Sequence, residues 1–269
     1  MKKHYKSPNL SALIMKNNLL KIFCIVILGF VPNLTMASSS ALPPKQLDWS
    51  FDGIFGYFDK TAIQRGFKVY KEVCQTCHSL KYKSFLDLKQ IGFSKDEIKA
   101  IASEYQVDAK PNDDGEVKKR PAEITDMFVP SYPNEQAARS ANNGALPPDL
   151  SLIIKARPDG ANYLYSLLTG YNHHPPKDIT INPGMYYNPY FANQQIAMPP
   201  PLSQGLVTYD NNESPSIEQM SKDLVHFLHW TAEPEMEARK LMGIKVLLYL
   251  IAFTAIFYIA KKRIWKNVK

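Results

Sequence analysis

Cysteine is scarce in this chain, with three residues among 269. Cys24 lies in an apolar N-terminal run, so Cys74 and Cys77 form the only pair in the rest of the chain. A disulfide-stapled domain is therefore not expected. A zinc site is disfavoured because zinc needs two further ligands at compatible spacing, and no second Cys/His pair supplies them. A thioredoxin-like dithiol is disfavoured as well, since the alternating strand and helix patterns that surround such a motif are absent.

Acidic residues are absent from both ends of the chain. The segments 1–37 and 241–269 carry five and six Lys or Arg residues and no Asp or Glu. All 25 acidic residues therefore lie in 38–240, against 21 basic ones, which gives this region a formal charge of −4 although the whole chain is +7. The overall basic charge does not predict nucleic-acid binding, because no basic patch remains in the central region. We expect this region to attract basic protein partners instead.

Gly/Ser-rich linkers, internal repeats and strand-like alternation are also missing. The central region of about 200 residues is long enough for one core, so we predict a single domain. Its pattern predicts a mainly α fold with long, proline-rich loops. Helical periodicity and capping residues predict helices over 61–73, 94–105, 134–143, 148–156, 161–169 and 216–230. A further helix is expected to begin at Pro234 and to continue into the C-terminal apolar run.

The N-terminal apolar run predicts a signal peptide over 1–37. Residues 22–31 are apolar, Lys16 and Lys21 precede them, and small residues follow at 37–40. A run of about ten residues is too short to span a bilayer, so a retained anchor is the weaker interpretation. With Met15 as the true start, the charged leader would have an ordinary length.

The C-terminal apolar run predicts one transmembrane helix over 241–260. Lys245 is the only charged residue within it, and twenty residues suffice to cross a bilayer. The alternative is a buried core helix, but Lys261, Lys262 and Arg263 follow directly, which is typical of a cytoplasmic flank. The pattern therefore predicts a cytoplasmic tail over 261–269 and an exported domain over 38–240.

One motif does carry chemistry. Cys74, Cys77 and His78 form Cys-Xaa-Xaa-Cys-His, which is the signature of c-type haem attachment. Two thiols three residues apart can each add to a haem vinyl group, and the adjacent imidazole then reaches the iron. We therefore predict one covalently bound haem c with His78 as an iron ligand.

The sixth position on the iron is expected to be filled by a methionine, because a thioether favours ferrous iron in electron carriers. We favour Met198, since Pro199, Pro200 and Pro201 stiffen the backbone directly after it. Met185 and the pair His173 and His174 remain open as alternatives. Three further methionines precede the transmembrane run, namely Met127, Met220 and Met236. Met220 and Met236 lie in helical patterns and are expected to be packing residues.

These features together resemble the cytochrome c1 family, the haem subunits of the quinol:cytochrome c reductase (cytochrome bc1) complex. The resemblance runs from about residue 48 to residue 266 and is carried by stretches in a specific order: 65–74, 141–151, 166–171, 187–191 and 230–235.

The resemblance also implies roles for particular residues. Met198 would be the sixth iron ligand, and Arg120 would contact a haem propionate. The segment 146–148 resembles the haem wall of the family, where a backbone carbonyl, here that of Pro148, would accept a hydrogen bond from the imidazole of His78.

The function implied by the resemblance is a one-electron relay. The Rieske iron-sulfur protein would reduce the haem, and the haem would reduce a cytochrome c. The C-terminal helix would cross the lipid of a bacterial inner membrane once and pack against cytochrome b in a dimeric complex, with the haem domain in the periplasm. We expect no catalysis by this chain alone, because it contains no defensible quinone site.

Two other classes of haem protein fit less well. A dihaem peroxidase would need a second Cys-Xaa-Xaa-Cys-His motif. A membrane-tethered shuttle cytochrome would need only about 100 residues of haem domain and a flexible linker to let it roam.

Overall fold

The computed structural model describes residues 41–177, 179–210 and 214–267. The predicted signal peptide over 1–37 lies outside the described residues.

Helices make up most of the regular structure. The α-helices are α1 Lys60–Glu72, α2 Lys95–Ser103, α3 Glu135–Ala141, α4 Gly160–Thr169, α5 Ile217–Ala232 and α6 Met236–Trp265. Short 3-10 turns lie at Cys74–Thr76, Phe85–Ile91, Gly170–Asn172 and Ala192–Gln194. The strands form two antiparallel ribbons, β1 Gln106–Asp108 with β2 Lys119–Pro121 and β3 Tyr186–Tyr187 with β4 Gln195–Ile196. The prediction of a mainly α fold with long loops is confirmed.

The capping signals begin helices where the sequence predicts them. The Ser94 Oγ accepts from the Glu97 backbone N–H at 3.3 Å, and the Glu97 carboxylate accepts from the Ser94 N–H at 2.7 Å. This reciprocal capping box satisfies two backbone donors at the start of α2. At α5 the Ser216 Oγ accepts from the Gln219 N–H at 3.2 Å.

The helix predicted over 148–156 is wrong, because the segment forms a series of turns. At the start of the segment the backbone donors bond to a carbonyl distant in sequence and to a nearby side chain. The later donors, those of Ile153, Lys155 and Ala156, form only short local turns and no continuous helical ladder. The Leu150 N–H donates to the Ser79 carbonyl at 2.9 Å, and the Ser151 N–H donates to the Asp149 carboxylate at the same distance. Tertiary contacts therefore outweigh the helical pattern here.

The core is built around α1 and α5. The rings of Phe67 and Tyr70 in α1 lie 5.6 and 5.5 Å from the ring of Phe227 in α5. Gly66 allows the close approach, since a Cβ atom there would collide with the backbone of Asp223. α1 leads directly into the Cys-Xaa-Xaa-Cys-His motif, so this packing fixes the position of the motif.

Helix α6 is continuous through the C-terminal apolar run. Among the described residues it is the one helix that is long and apolar enough to cross a membrane. None of its most apolar stretch is buried in the protein. A core helix of a soluble domain would bury its apolar side chains, so the alternative of a buried core helix does not fit α6.

Candidate haem-binding site

The Cys-Xaa-Xaa-Cys-His motif folds as a tight turn at the end of α1. The N–H groups of Cys77 and His78 both donate to the Cys74 carbonyl, at 3.1 and 2.9 Å. The hydroxyl of Ser131 donates to the backbone of Gln75 at 2.7 Å and holds the turn from outside. The turn places both cysteines and His78 in the wall of one cavity of about 1040 Å³. This volume is at the upper end of the range for sites that take small molecules and cofactors.

A hydrogen bond fixes the tautomer of the His78 imidazole that an iron ligand needs. Its Nδ1 lies 2.8 Å from the Pro148 carbonyl oxygen, which can only accept, so Nδ1 carries the proton. The Nε2 atom then keeps its lone pair for a metal. Burial lowers the pKa of His78, which favours the neutral, ligating form. The Tyr70 hydroxyl donates to the His78 carbonyl at 3.0 Å and fixes its backbone as well.

Hydrogen bonds of the two residues that follow Pro148 fix the position of its carbonyl. The Asp149 carboxylate accepts from the Lys81 N–H at 2.8 Å, and Leu150 is bonded to Ser79. These contacts tie the segment with Pro147 and Pro148, predicted as the haem wall, to the chain just after His78. The same bonds that break up the predicted helix therefore position the acceptor for His78.

Met198 lines the same cavity. It follows β4, and the Tyr171 hydroxyl donates to its backbone carbonyl at 2.9 Å. Within the described part of the chain it is the one methionine in the cavity wall, and neither Met185 nor the exposed His173 and His174 lies there. The structure therefore brings the preferred sixth ligand together with the motif and leaves the alternatives outside, although the ligand assignment itself stays a prediction.

The remaining cavity wall suits a large apolar cofactor. It consists mainly of aliphatic side chains and prolines, among them Leu150, Ile153, Leu164, Leu168, Leu224 and Leu228. Burial raises the pKa of the Cys74 thiol to about 12, which opposes the thiolate that zinc or a redox dithiol requires. No cluster of three His, Cys, Asp or Glu suited to a metal ion occurs among the described residues. The donors and the apolar wall thus fit a haem better than either alternative.

Arg120 does not lie in the cavity wall. Its guanidinium forms a bidentate ion pair with Asp126, with contacts of 2.6 and 2.9 Å, beside the exposed ribbon of β1 and β2. This pairing raises the pKa of Arg120 and lowers the pKa of Asp126. The geometry gives the predicted propionate contact of Arg120 no support, because the residue lies outside the cavity wall and its guanidinium is paired with Asp126. The contact of Arg120 with a propionate therefore stays a prediction.

Among the described residues, Arg157 is the one Lys or Arg in the cavity wall, which makes it a second candidate for the propionate contact. It lines the wall together with Tyr163. Burial raises the pKa of the Tyr163 phenol, and the nearby Arg157 charge counteracts that shift. Sequence reasoning missed Arg157 because it stands in a polar turn before Pro158. The available signal was a single arginine shortly after the segment predicted as the haem wall.

Replacing Arg157 by glutamine is expected to lower the haem potential, because a cation beside a propionate disfavours the extra positive charge of ferric iron. A tenfold change in the equilibrium of a one-electron couple corresponds to about 59 mV, and we expect a shift of that order. Redox titration of the purified protein measures it. Arg120→Gln is the matched control and should leave the potential within a few millivolts of wild type; the reverse ranking of the two variants would restore Arg120 as the propionate contact.

Comparisons with known proteins show the family to which the chain belongs. The model of the Cytochrome C1 family matches residues 49–268. Cytochrome c1 of Rhodospirillum rubrum is 44% identical over 237 residues, which cover 82% of this chain and 87% of that protein. The mitochondrial cytochrome c1 haem protein of Neurospora crassa is 44% identical over 241 residues, covering 90% of this chain and 72% of that protein.

A longer protein from Bradyrhizobium diazoefficiens, named cytochrome b/c1, is also 44% identical, over 261 residues. The match covers 89% of this chain but only 38% of that protein. The family model and these relatives cover most of the chain and confirm the resemblance predicted from its motifs. The chain therefore belongs to the cytochrome c1 family.

Proposed function

We propose that this chain carries one covalently bound haem c and acts as the electron-transfer subunit of a respiratory cytochrome bc1 complex. It takes single electrons from the Rieske iron-sulfur protein and delivers them to a cytochrome c. The observation that carries the proposal is the 2.8 Å contact of His78 Nδ1 with the Pro148 carbonyl, which leaves Nε2 directed to ligation in a cavity that contains both cysteines and Met198. When bound, the haem supplies reversible one-electron chemistry.

The residues of the chain control the conditions for that chemistry. Cys74 and Cys77 hold the cofactor covalently, and the aliphatic wall excludes water from the iron. His78 stays neutral and oriented, and Met198 supplies a thioether that favours the reduced state. Quinol oxidation belongs to partner subunits, so this chain alone catalyses no reaction.

The proposed topology is a single membrane crossing by α6. Residues 1–37 would direct export, residues 38–240 would form the periplasmic haem domain, and residues 261–269 would remain in the cytoplasm of a bacterial cell. The basic residues at 261–263, which end the apolar run, support this orientation. Cytochrome b would pack beside α6 in a dimeric complex. The name of the Bradyrhizobium relative, which joins b and c1, supports that neighbour.

Isolating the complex from membranes through a tag on this chain tests the proposal. We expect cytochrome b and the Rieske protein to co-purify, with one haem c for each copy of this chain. A shuttle cytochrome would purify without these subunits, and a dihaem peroxidase would contain two c-type haems. Either of these results would contradict the proposed function.

Electrostatic steering of a basic cytochrome c is predicted from the acidic central region. The candidate surface is formed by Asp108 at the end of β1 and by Asp113, Asp114 and Glu116 in the loop that connects β1 to β2. Asp108 is paired with Lys119 at 2.6 Å, and Lys110 and Lys118 lie in the same loop, so its net charge is smaller than the four acids suggest. A solvated loop without a partner is therefore the competing interpretation.

Neutralising the four acidic residues is expected to lower the association rate with cytochrome c and to flatten its dependence on salt. Screening acts over roughly 10 Å at 0.1 M ionic strength, so the wild-type rate should fall as salt rises. Stopped-flow kinetics over a series of salt concentrations measures both. Lys110→Gln with Lys118→Gln is the opposing control and should raise the rate. If the variant with the four neutralised residues kept the wild-type association rate, cytochrome c would dock elsewhere on the domain.

A further inference from the structure

An exposed apolar loop lies at the outer end of the membrane helix. The side chains of Ile54, Phe55 and Tyr57 are 68%, 79% and 61% exposed, which is unusual for large apolar residues next to a packed core. They neither line the haem cavity nor take part in the proposed electron transfer.

The loop is closed and held at its base. The Tyr57 N–H donates to the Ser50 carbonyl at 2.8 Å, and the Ser50 hydroxyl donates to the Tyr57 carbonyl at 3.0 Å. Phe51 is buried and its ring stacks on that of His229 with centroids 3.7 Å apart. Gly53, at a φ of +66°, provides the turn that other residues rarely adopt. The fold therefore fixes the loop while leaving its apolar tip uncovered.

Two hydrogen bonds connect the loop to the first turns of α6. The Phe58 N–H donates to the Glu237 carboxylate at 2.6 Å, and the Lys240 ammonium donates to the Phe51 carbonyl at 2.6 Å. The apolar run begins at Leu241, directly after Lys240. At 1.5 Å of rise per residue, Glu237 lies about 6 Å from Leu241 along the axis. This distance matches the headgroup layer of a bilayer, which is about 5 to 8 Å thick on each side of the hydrocarbon core.

The tip cannot lie far from that level. Six residues separate the two attachment points at Phe51 and Phe58, so the tip is at most three residues, or about 10 Å, from its base. We propose that the loop 51–58 is a second membrane contact, which inserts Ile54, Phe55 and Tyr57 into the headgroup region of the periplasmic leaflet. The proposal rests on the proposed membrane crossing of α6.

A lipid surface fits this loop better than a protein partner. Specific protein interfaces bury about 800 Å² per partner, with 20 to 30 residues on each side, whereas the apolar surface of this loop comes from three side chains. Charged residues flank them at Asp52, Asp59 and Lys60, so the apolar surface ends abruptly. Aromatic residues at the headgroup level are typical of membrane anchors, and Tyr57 combines an apolar ring with a polar hydroxyl. A second contact would stop the haem domain from rotating about its single helix.

Photocrosslinking in the assembled complex tests the proposal. A photoreactive benzoylphenylalanine replaces Phe55, and the complex in native membranes is irradiated and analysed by mass spectrometry. We expect phospholipid adducts on this chain at a yield severalfold above that of the same substitution at Val117, an exposed residue on the β1–β2 loop. A dominant crosslink to another subunit, or a lipid yield equal to that at Val117, would overturn the proposal.

A third position separates failure of this proposal from failure of the proposed topology. The same photoreactive residue at Leu248, in the middle of α6, should give lipid adducts if the helix spans the membrane. Adducts at Leu248 without adducts at Phe55 would reject the loop contact and leave the membrane crossing intact. No lipid adduct at either position would reject both. Quinol:cytochrome c turnover, measured on each sample, reports separately on electron transfer.

Discussion

Replacing Met198 by leucine is expected to keep the haem covalently attached but to lower its potential by well over 59 mV, the shift for a tenfold change in a one-electron couple. Leucine preserves the size and apolar character of the side chain and removes only the thioether. The open position on the iron should then let the ferrous form bind carbon monoxide, which a six-coordinate wild-type haem excludes. Redox titration and the carbon monoxide difference spectrum measure the two effects.

The matched control is Met185→Leu. Met185 was the main alternative ligand, and the structure places it outside the cavity wall. This variant should keep the wild-type potential and should not bind carbon monoxide. If Met198→Leu retained the wild-type potential and Met185→Leu lost it, the ligand assignment would be wrong.

Substitutions in the attachment motif are expected to reduce the amount of folded protein more than Met198→Leu does. Cys74→Ala or Cys77→Ala should leave at most one thioether bond, and His78→Ala should prevent maturation, because the first iron ligand is lost. The apolar cavity of about 1040 Å³ would then have no stable occupant. The destabilisation caused by an unfilled cavity grows with its volume, so we expect little folded protein in the membrane. Haem staining of denaturing gels and immunoblots measure attachment and abundance.

A substitution beside the motif serves as the control for expression. Ser79→Ala next to the motif changes a side chain of similar size but removes neither a thiol nor the imidazole, and it should mature normally. Covalent haem surviving in the Cys74→Ala and Cys77→Ala double variant would show that attachment uses other residues.

The parts of the fold that local sequence determines were predictable. Capping residues such as Ser94 and Ser216 bond to the backbone a few residues away, so their effect is visible in the sequence alone. The apolar run in α6 is equally local. The segment 148–156 was not predictable, because its conformation depends on partners such as Ser79, which are distant in sequence. A helical pattern cannot reveal that its donors are used elsewhere.

The site divides in a similar way. The chemistry of Cys74, Cys77 and His78 requires a fixed spacing, so these three site residues could be predicted from the sequence alone. Met198 could be ranked first from its prolines, but only the fold places it in the cavity and excludes Met185 from the wall. Arg120 was predicted from the resemblance, and its ion pair with Asp126 is a tertiary property that the sequence does not reveal. The position of Arg157 in the cavity wall is equally a tertiary property. Charge alone could not distinguish the two arginines.

Stopped-flow spectroscopy on the purified complex tests most directly whether electrons pass through the haem held by His78 and Met198. Quinol is mixed with the oxidised complex, and the absorption of the c-type haem on this chain is followed before and after oxidised cytochrome c is added. We expect the haem to be reduced by quinol and then reoxidised at the rate at which cytochrome c is reduced. Met198→Leu should slow the first step, because a haem of lower potential is harder to reduce. Cytochrome c reduction at the wild-type rate while this haem stays oxidised would contradict the proposed function.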